Sequence, residues 1–127
     1  MKDNLEPNMY VRLNCNYELG IGKTISEIDE DNFIKTKFKD GFECSLPTYM
    51  IKKASRNIID LIQVGDYVNG SKVVNINYDL NYNEDIVESI TIFDYSIEGN
   101  DILHNEQIKS VVTKDQFESM KYSLGEE

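Results

Sequence analysis

Several residue types are scarce in this chain of 127 residues. It has no tryptophan, two prolines, two cysteines and one histidine, and Ala54 is its single alanine. The shortage of alanine, together with many Ile, Val, Tyr and Thr residues, favours strands over helices. One histidine and two cysteines without Cys-x-x-Cys spacing are too few ligands for a zinc site, so Cys15 and Cys44 are interpreted as reduced thiols.

Basic residues are also scarce: 13 Lys and Arg residues stand against 23 Asp and Glu residues, giving a net charge of −10. This sign argues against direct nucleic-acid binding as the main activity, because phosphate backbones attract basic surfaces. The deficit is concentrated in residues 61–127, which carry thirteen acids and four bases. Within that half, residues 73–108 hold no Lys or Arg at all.

Long apolar runs are absent, and no stretch approaches the roughly 18 residues that a membrane-spanning helix needs. No basic segment followed by an apolar one opens the chain, so a secretory leader is not indicated. We therefore expect a soluble intracellular protein that does not bind a membrane.

The hydrophobic pattern predicts about eight short strands separated by turns. Asp40-Gly41 fits a type I′ hairpin turn, and Asn69-Gly70 is a strong hairpin signal. Residues 48–62 contain a basic cluster and are interpreted as a connector with one turn of helix. The predicted fold class is therefore mainly β, a small SH3-like or split barrel with a C-terminal helix. The predicted strands cover residues 9–13, 23–28, 33–38, 42–46, 72–78, 86–93, 102–104 and 107–112.

The two ends of the chain differ from this pattern. Residues 1–8 are polar and are interpreted as a disordered leader. Residues 113–116 (TKDQ) match a capping box, which predicts a terminal helix over residues 114–122. Residues 9–127 are expected to form a single compact β-rich domain, or two small sub-barrels that meet near residues 47–62.

The acidic stretch is the first candidate site. A surface of one charge sign steers partners of the opposite sign, so this stretch is suited to docking on a basic groove of another protein. A plain solubility surface is the alternative. The predicted partner-binding residues are Asp79, Glu84, Asp85, Glu88, Asp94, Glu98, Asp101 and Glu106.

A basic cluster in the first half of the chain is the second candidate site. Arginine and lysine close to tyrosine can hold a phosphate-bearing ligand through charge-assisted hydrogen bonds and ring stacking. The alternative is that these bases only balance the acidic half. The residues of this basic cluster are Arg12, Tyr49, Lys52, Lys53 and Arg56.

No catalytic or metal-binding set is recognisable. No Ser, His and Asp have triad spacing, and the turn at residues 20–23 lacks the first glycine of a phosphate-binding loop. Residues 79–83 copy the first, third and fifth positions of a calcium loop, but Glu84 and Ile90 replace the glycine and glutamate that such a loop needs. We predict a non-enzymatic protein with no cofactor and no metal.

Four segments of the chain are distinctive as a set: MYVR (9–12), GIGK (20–23), ASRNIIDLIQVGDYVNG (54–70) and IKSVVTKDQFE (108–118). Together they resemble a family of small uncharacterised proteins from phages and mobile elements of Firmicutes. The resemblance covers residues 9–127 and carries over no activity and no site residue. It implies an accessory protein that acts in the cytoplasm of a bacterial host cell.

The resemblance and the charge lead to two main hypotheses. In the first, an anti-CRISPR-like inhibitor antagonises host antiviral defence, and its acidic face binds a basic, nucleic-acid-handling surface of a host defence protein. In the second, a homo-oligomer sequesters a nucleotide immune signal of the cyclic nucleotide or ADP-ribose type, with the basic cluster lining its pocket. A morphogenetic or regulatory phage role outside defence is the third possibility.

Overall fold

Two five-stranded antiparallel sheets make up the computed structural model, which describes residues 5–14, 19–79 and 86–117. The first sheet contains β1 (Tyr10–Leu13), β2 (Ile21–Thr24), β3 (Phe33–Lys37), β4 (Glu43–Pro47) and β5 (Ile51–Ser55). The second contains β6 (Tyr67–Val68), β7 (Ser71–Tyr78), β8 (Val87–Asp94), β9 (Gly99–Leu103) and β10 (Val111–Val112). The predicted mainly β class is confirmed.

The two sheets share one strand order. The first is ordered β4-β3-β2-β1-β5 and the second β9-β8-β7-β6-β10. In each, four consecutive strands form a meander, and the fifth returns to pair with the first after a 3₁₀ turn, at Thr48–Met50 or Asn105–Gln107. This strand order fits a small, barrel-like β fold. We call residues 10–55 the first barrel and residues 67–112 the second barrel.

Each barrel has its own hydrophobic core, because alternate residues along its strands face inward. Val11 and Ile34 are fully buried in the first core. Val68, Val73 and Ile90 are fully buried in the second. The sequence shows no internal repeat, so two different sets of apolar residues build the same topology.

Residues 5–8, the second half of the predicted leader, pack on the first barrel. Leu5 is buried in the first core. The Asn8 N–H donates to the Thr24 carbonyl at 2.8 Å, which ties the segment to the end of β2. This part of the predicted disordered leader is therefore ordered, while residues 1–4 lie outside the described residues.

The two predicted hairpin turns differ in outcome. The Asn69-Gly70 hairpin is confirmed, and both residues have the positive φ of a type I′ turn, 52° and 87°. The Asp40-Gly41 prediction is wrong, because the chain forms a 3₁₀ turn over Lys39–Gly41 instead. The Phe38 N–H donates to the Phe42 carbonyl at 2.7 Å and closes a wider loop, in which the glycine has a φ of 82°.

Residues 48–62 are more than the connector that the sequence predicts. They contain β5, which pairs with β1 and places Lys53 opposite Arg12. Its two adjacent lysines interrupt the alternation of apolar and polar residues that is typical of a strand. β5 is therefore defined by its pairing with β1 and not by its local sequence pattern. A 3₁₀ turn follows at Ile58–Leu61. The two barrels are joined by residues 56–66, whereas sub-barrels were expected to meet near residues 47–62.

The C-terminal helix begins where the sequence predicts it. The Gln116 N–H donates to Thr113 Oγ1 at 3.2 Å, and the Thr113 N–H donates to Gln116 Oε1 at 3.0 Å. This reciprocal pair is a capping box. Helical structure is described for residues 114–117, and the rest of the predicted helix over 114–122 lies outside the described residues.

A buried ion pair connects the two barrels. Arg12 on β1 is 6% exposed, and Asp66, just before β6, is 0% exposed. The guanidinium donates to both carboxylate oxygens, at 2.5 and 3.0 Å, and to the Leu61 carbonyl at 2.9 Å. Asp66 also accepts from the backbone N–H of Gln63 at 2.8 Å and of Lys114 at 3.0 Å. One carboxylate therefore holds the first barrel, the connector and the helical turn together.

Two further contacts fix the junction. Asp60 accepts from Ser55 Oγ of β5 at 2.6 Å and from the Val87 N–H of β8 at 3.1 Å, so it also bridges the barrels. Gly20 has a φ of 76°, and a Cβ there would lie 2.3 Å from Gln116 Oε1. A side chain at this position would displace the Gln116 amide of the capping box, and the positive φ favours glycine.

We expect Arg12→Met to lower the free energy of unfolding by about 3–5 kcal/mol, because Asp66 would stay buried without its cation. Arg56→Met is the matched control, since Arg56 pairs with Glu6 on the surface and exposed pairs contribute about 0–1 kcal/mol. Urea unfolding followed by circular dichroism measures both. A loss for Arg12→Met no larger than that for Arg56→Met would contradict the role given to the pair.

Candidate functional site

The acidic residues of the second barrel lie at two ends of the β8–β9 hairpin. Asp94 ends β8, and Glu98 and Asp101 lie beside it across the turn into β9. Glu88 lies near the start of β8, about 20 Å away at the usual rise of a strand. Glu106, in the 3₁₀ turn after β9, lies at the same end as Glu88. We call these two ends the hairpin tip and the hairpin base.

The remaining members of the predicted acidic face lie at the base or beyond the described residues. Asp79 follows β7, and its N–H donates to the Ile86 carbonyl at 2.8 Å just before β8 begins. Glu84 and Asp85 lie outside the described residues. The described carboxylates therefore form two groups rather than one continuous patch.

The hairpin tip adds exposed apolar side chains to its carboxylates. Tyr95 is 78% exposed and Ile97 is 61% exposed. The Tyr95 ring meets Phe93 edge-to-face, with ring centroids 4.7 Å apart, which holds it against the sheet. The turn occupies residues 95–98 and β9 begins directly after it at Gly99, three residues before the strand predicted over residues 102–104.

Asp94 is held in its charged form by its own turn. The Ser96 hydroxyl and the Ser96 N–H donate to Asp94 Oδ1 at 2.7 and 2.9 Å. These hydrogen bonds, the one from the hydroxyl above all, lower the pKa of Asp94 below its ordinary value. The carboxylate therefore stays ionised to a lower pH than a free aspartate and keeps the tip acidic.

Both arginines of the predicted basic cluster have carboxylate partners. Arg12 is buried against Asp66 and does not present its guanidinium to solvent. Arg56 is exposed and pairs with Glu6, in a depression that Glu27 also lines. The structure thus separates the two arginines: Arg12 joins the first barrel to the connector, and Arg56 contacts the N-terminal segment.

The other three residues of the basic cluster lie on or beside β5. Lys52 borders a cavity of about 220 Å³, which Arg12 and Asp115 also line. Lys53 is half-buried on the same strand. Tyr49 is 68% exposed in the 3₁₀ turn that precedes it. Asp115 therefore brings an acid into the cavity that Arg12 and Lys52 line.

Reactive and metal-binding groups are sparse in the part of the chain that the structure describes. There, no group of three or more His, Cys, Asp or Glu side chains could hold a metal ion. Cys44 on β4 is a half-buried free thiol, and burial raises its pKa, which keeps it protonated and unreactive at neutral pH. Cys15 lies outside the described residues. No helix within the described ranges is long and apolar enough to cross a membrane.

The fold and the site define a mainly β protein with two five-stranded antiparallel sheets and an acidic hairpin tip that carries exposed apolar residues. No protein-family model matches the chain, and neither a curated protein nor a solved structure does. The chemistry of the surface residues is therefore the guide to function.

Sequence reasoning found the carboxylates of the tip and missed its apolar half. Tyr95 and Ile97 stand inside a polar turn, where the acidic residues on both sides dominate the pattern. A signal was present, because two large apolar residues within a tight turn have no core to face and are exposed together.

We expect Ser96→Ala to raise the pKa of Asp94 toward its ordinary value, because the substitution removes the hydroxyl donor, the main cause of the lowered pKa. A folded pKa below the unfolded one stabilises the fold above the unfolded pKa, and this contribution is lost as pH falls through the folded pKa. NMR titration of the side-chain carboxyl measures the shift. Ser110→Ala, which touches no part of the tip, is the control, and an unchanged Asp94 titration in Ser96→Ala would contradict the assignment.

Proposed function

We propose that this protein is a non-enzymatic inhibitor of host antiviral defence and that the hairpin tip binds a basic surface of a host defence protein. The observation that carries the proposal is the tip itself, where Tyr95 and Ile97 are exposed beside Asp94, Glu98 and Asp101. The role in defence rests on the resemblance to proteins of phages and mobile elements.

The tip is chemically complementary to a protein surface that binds nucleic acid. Such surfaces combine Lys and Arg side chains for phosphates with flat apolar positions on which bases stack. The carboxylates of the tip would face the basic side chains, and Tyr95 would occupy a position that otherwise takes a base. The net charge of −10 and the absence of Lys and Arg over residues 73–108 support association with a basic partner.

The two kinds of residue would contribute differently to binding. Aromatic side chains at the centre of an interface carry much of the affinity, whereas exposed charges mainly set the association rate and its dependence on salt. Sequestration of a nucleotide signal by the basic cluster has less support, because Arg12 and Arg56 are paired with Asp66 and Glu6.

The test begins with capture of partners from a bacterial host lysate, followed by titration with the purified partner. Tyr95→Ser is expected to weaken binding by about thirtyfold, the loss of an interface anchor worth about 2 kcal/mol. The double variant Asp94→Lys/Glu98→Lys is expected to slow association and to flatten its salt dependence.

Glu27→Lys/Glu30→Lys is the matched control, since it changes the net charge equally at exposed positions of the first barrel. We expect this control to retain most of the affinity. Equal binding by the tip variants and the native protein, or an affinity that does not fall with salt, would rule out docking through the hairpin tip.

A further inference from the structure

A cleft of about 450 Å³ lies between the two barrels. On one side it is lined by Tyr10 of β1, Lys23 of β2 and Phe38 after β3. On the other side it is lined by residues 108–111, which lead into β10. Small-molecule sites typically measure about 300–1,000 Å³ and often form where two domains meet. The cleft exists only when both barrels are in place.

The cleft is basic in a strongly acidic protein. Its lining includes four lysines and no acidic residue. None of the four forms an ion pair with another of the described residues. A molecule with 13 basic and 23 acidic residues has thus placed four bases and no acid around one cavity. The four lysines are Lys23, Lys37, Lys39 and Lys109.

The strand register brings like charges together at the cleft. Lys23 lies directly opposite Lys37 on the same face of the first sheet, and Tyr10 lies directly opposite Lys23. Like charges in this position destabilise a sheet, and an anion between them would remove the repulsion. Lys23 Nζ lies 5.2 Å from the Tyr10 ring centroid, a cation–π contact that keeps the ammonium at the wall. Glu43 pairs with Lys37 on its far side in the register but forms no described ion pair with it.

In the second barrel, hydrogen bonds to Asn69 fix the backbone of the segment that carries Lys109. The backbone N–H groups of Lys109 and Ser110 both donate to Asn69 Oδ1, at 2.7 and 3.1 Å. Asn69 Nδ2 in turn donates to the Gln107 carbonyl at 2.9 Å. The type I′ turn of the second barrel therefore fixes the segment that carries Lys109 across the cleft from Lys23.

We propose that this cleft binds a nucleoside di- or polyphosphate. Lysines of both barrels hold the phosphates as point charges. The apolar wall, which includes Tyr10, Ile25 and Ile108, covers the base. This site goes beyond the proposed docking function, because it uses a different surface, the opposite charge and a small ligand. It also shares no residue with the basic cluster around Arg12.

Isothermal titration with ADP, pyrophosphate and adenosine tests the proposal on the full chain. We expect saturable binding of ADP, weaker binding of pyrophosphate, which lacks the base, and the weakest binding of adenosine, which lacks the charge. Lys23→Gln and Lys109→Gln should each weaken ADP binding by about tenfold, because each removes one charge-assisted contact from a different barrel. Lys23→Gln should change the stability of the ligand-free protein little, since the loss of the like-charge pair offsets the loss of the cation–π contact with Tyr10.

Lys35→Gln and Lys72→Gln are the controls, as exposed lysines of β3 and β7 outside the cleft, and they should bind ADP as the native protein does. Absence of saturable ADP binding at millimolar concentration would overturn the proposal. Pyrophosphate binding as tight as that of ADP, or equal losses in the cleft and control variants, would also overturn it. Asp94→Lys/Glu98→Lys should leave ADP binding intact, which keeps this result separate from that of the docking function.

Discussion

The buried pair of Arg12 and Asp66 is the constraint on which the rest of the structure depends. A fully buried carboxylate requires compensation for its lost hydration, and here the guanidinium and two backbone N–H groups supply it. These donors come from β1, from the connector and from the C-terminal helical turn, so Asp66 is satisfied only when all three meet. The same requirement fixes how the barrels face each other and thereby shapes the basic cleft between them.

Features set by local chemistry could be predicted from the sequence. The Asn69-Gly70 turn and the capping box at residues 113–116 depend on neighbouring residues only, and both occur as predicted. Features set by pairing between distant residues could not be predicted from the sequence. β5 is a strand because β1 pairs with it, and Arg12 appeared to be a free cation because its partner lies 54 residues away. The lysines of the cleft come from separate strands, and only the register brings them together.

The two barrels share a strand order but differ in surface charge, because acidic and basic residues are unevenly distributed along the chain. The β8–β9 hairpin of the second barrel carries the carboxylates of the tip, together with exposed Tyr95 and Ile97. Three of the four cleft lysines come from the first barrel, and Lys109 completes the set across the junction. The acidic tip is the site proposed for a basic macromolecular surface, and the cleft is the site proposed for a small anion.

Native-state hydrogen exchange on β3 and β8, in the native protein and in Arg12→Met, tests the central claim most directly. If the buried pair couples the barrels, the slowest amides of both strands report the same opening free energy in the native protein, because the barrels unfold together. In Arg12→Met the two strands should report different opening free energies, as each barrel opens on its own. Different values in the native protein, or equal values in Arg12→Met, would contradict the account.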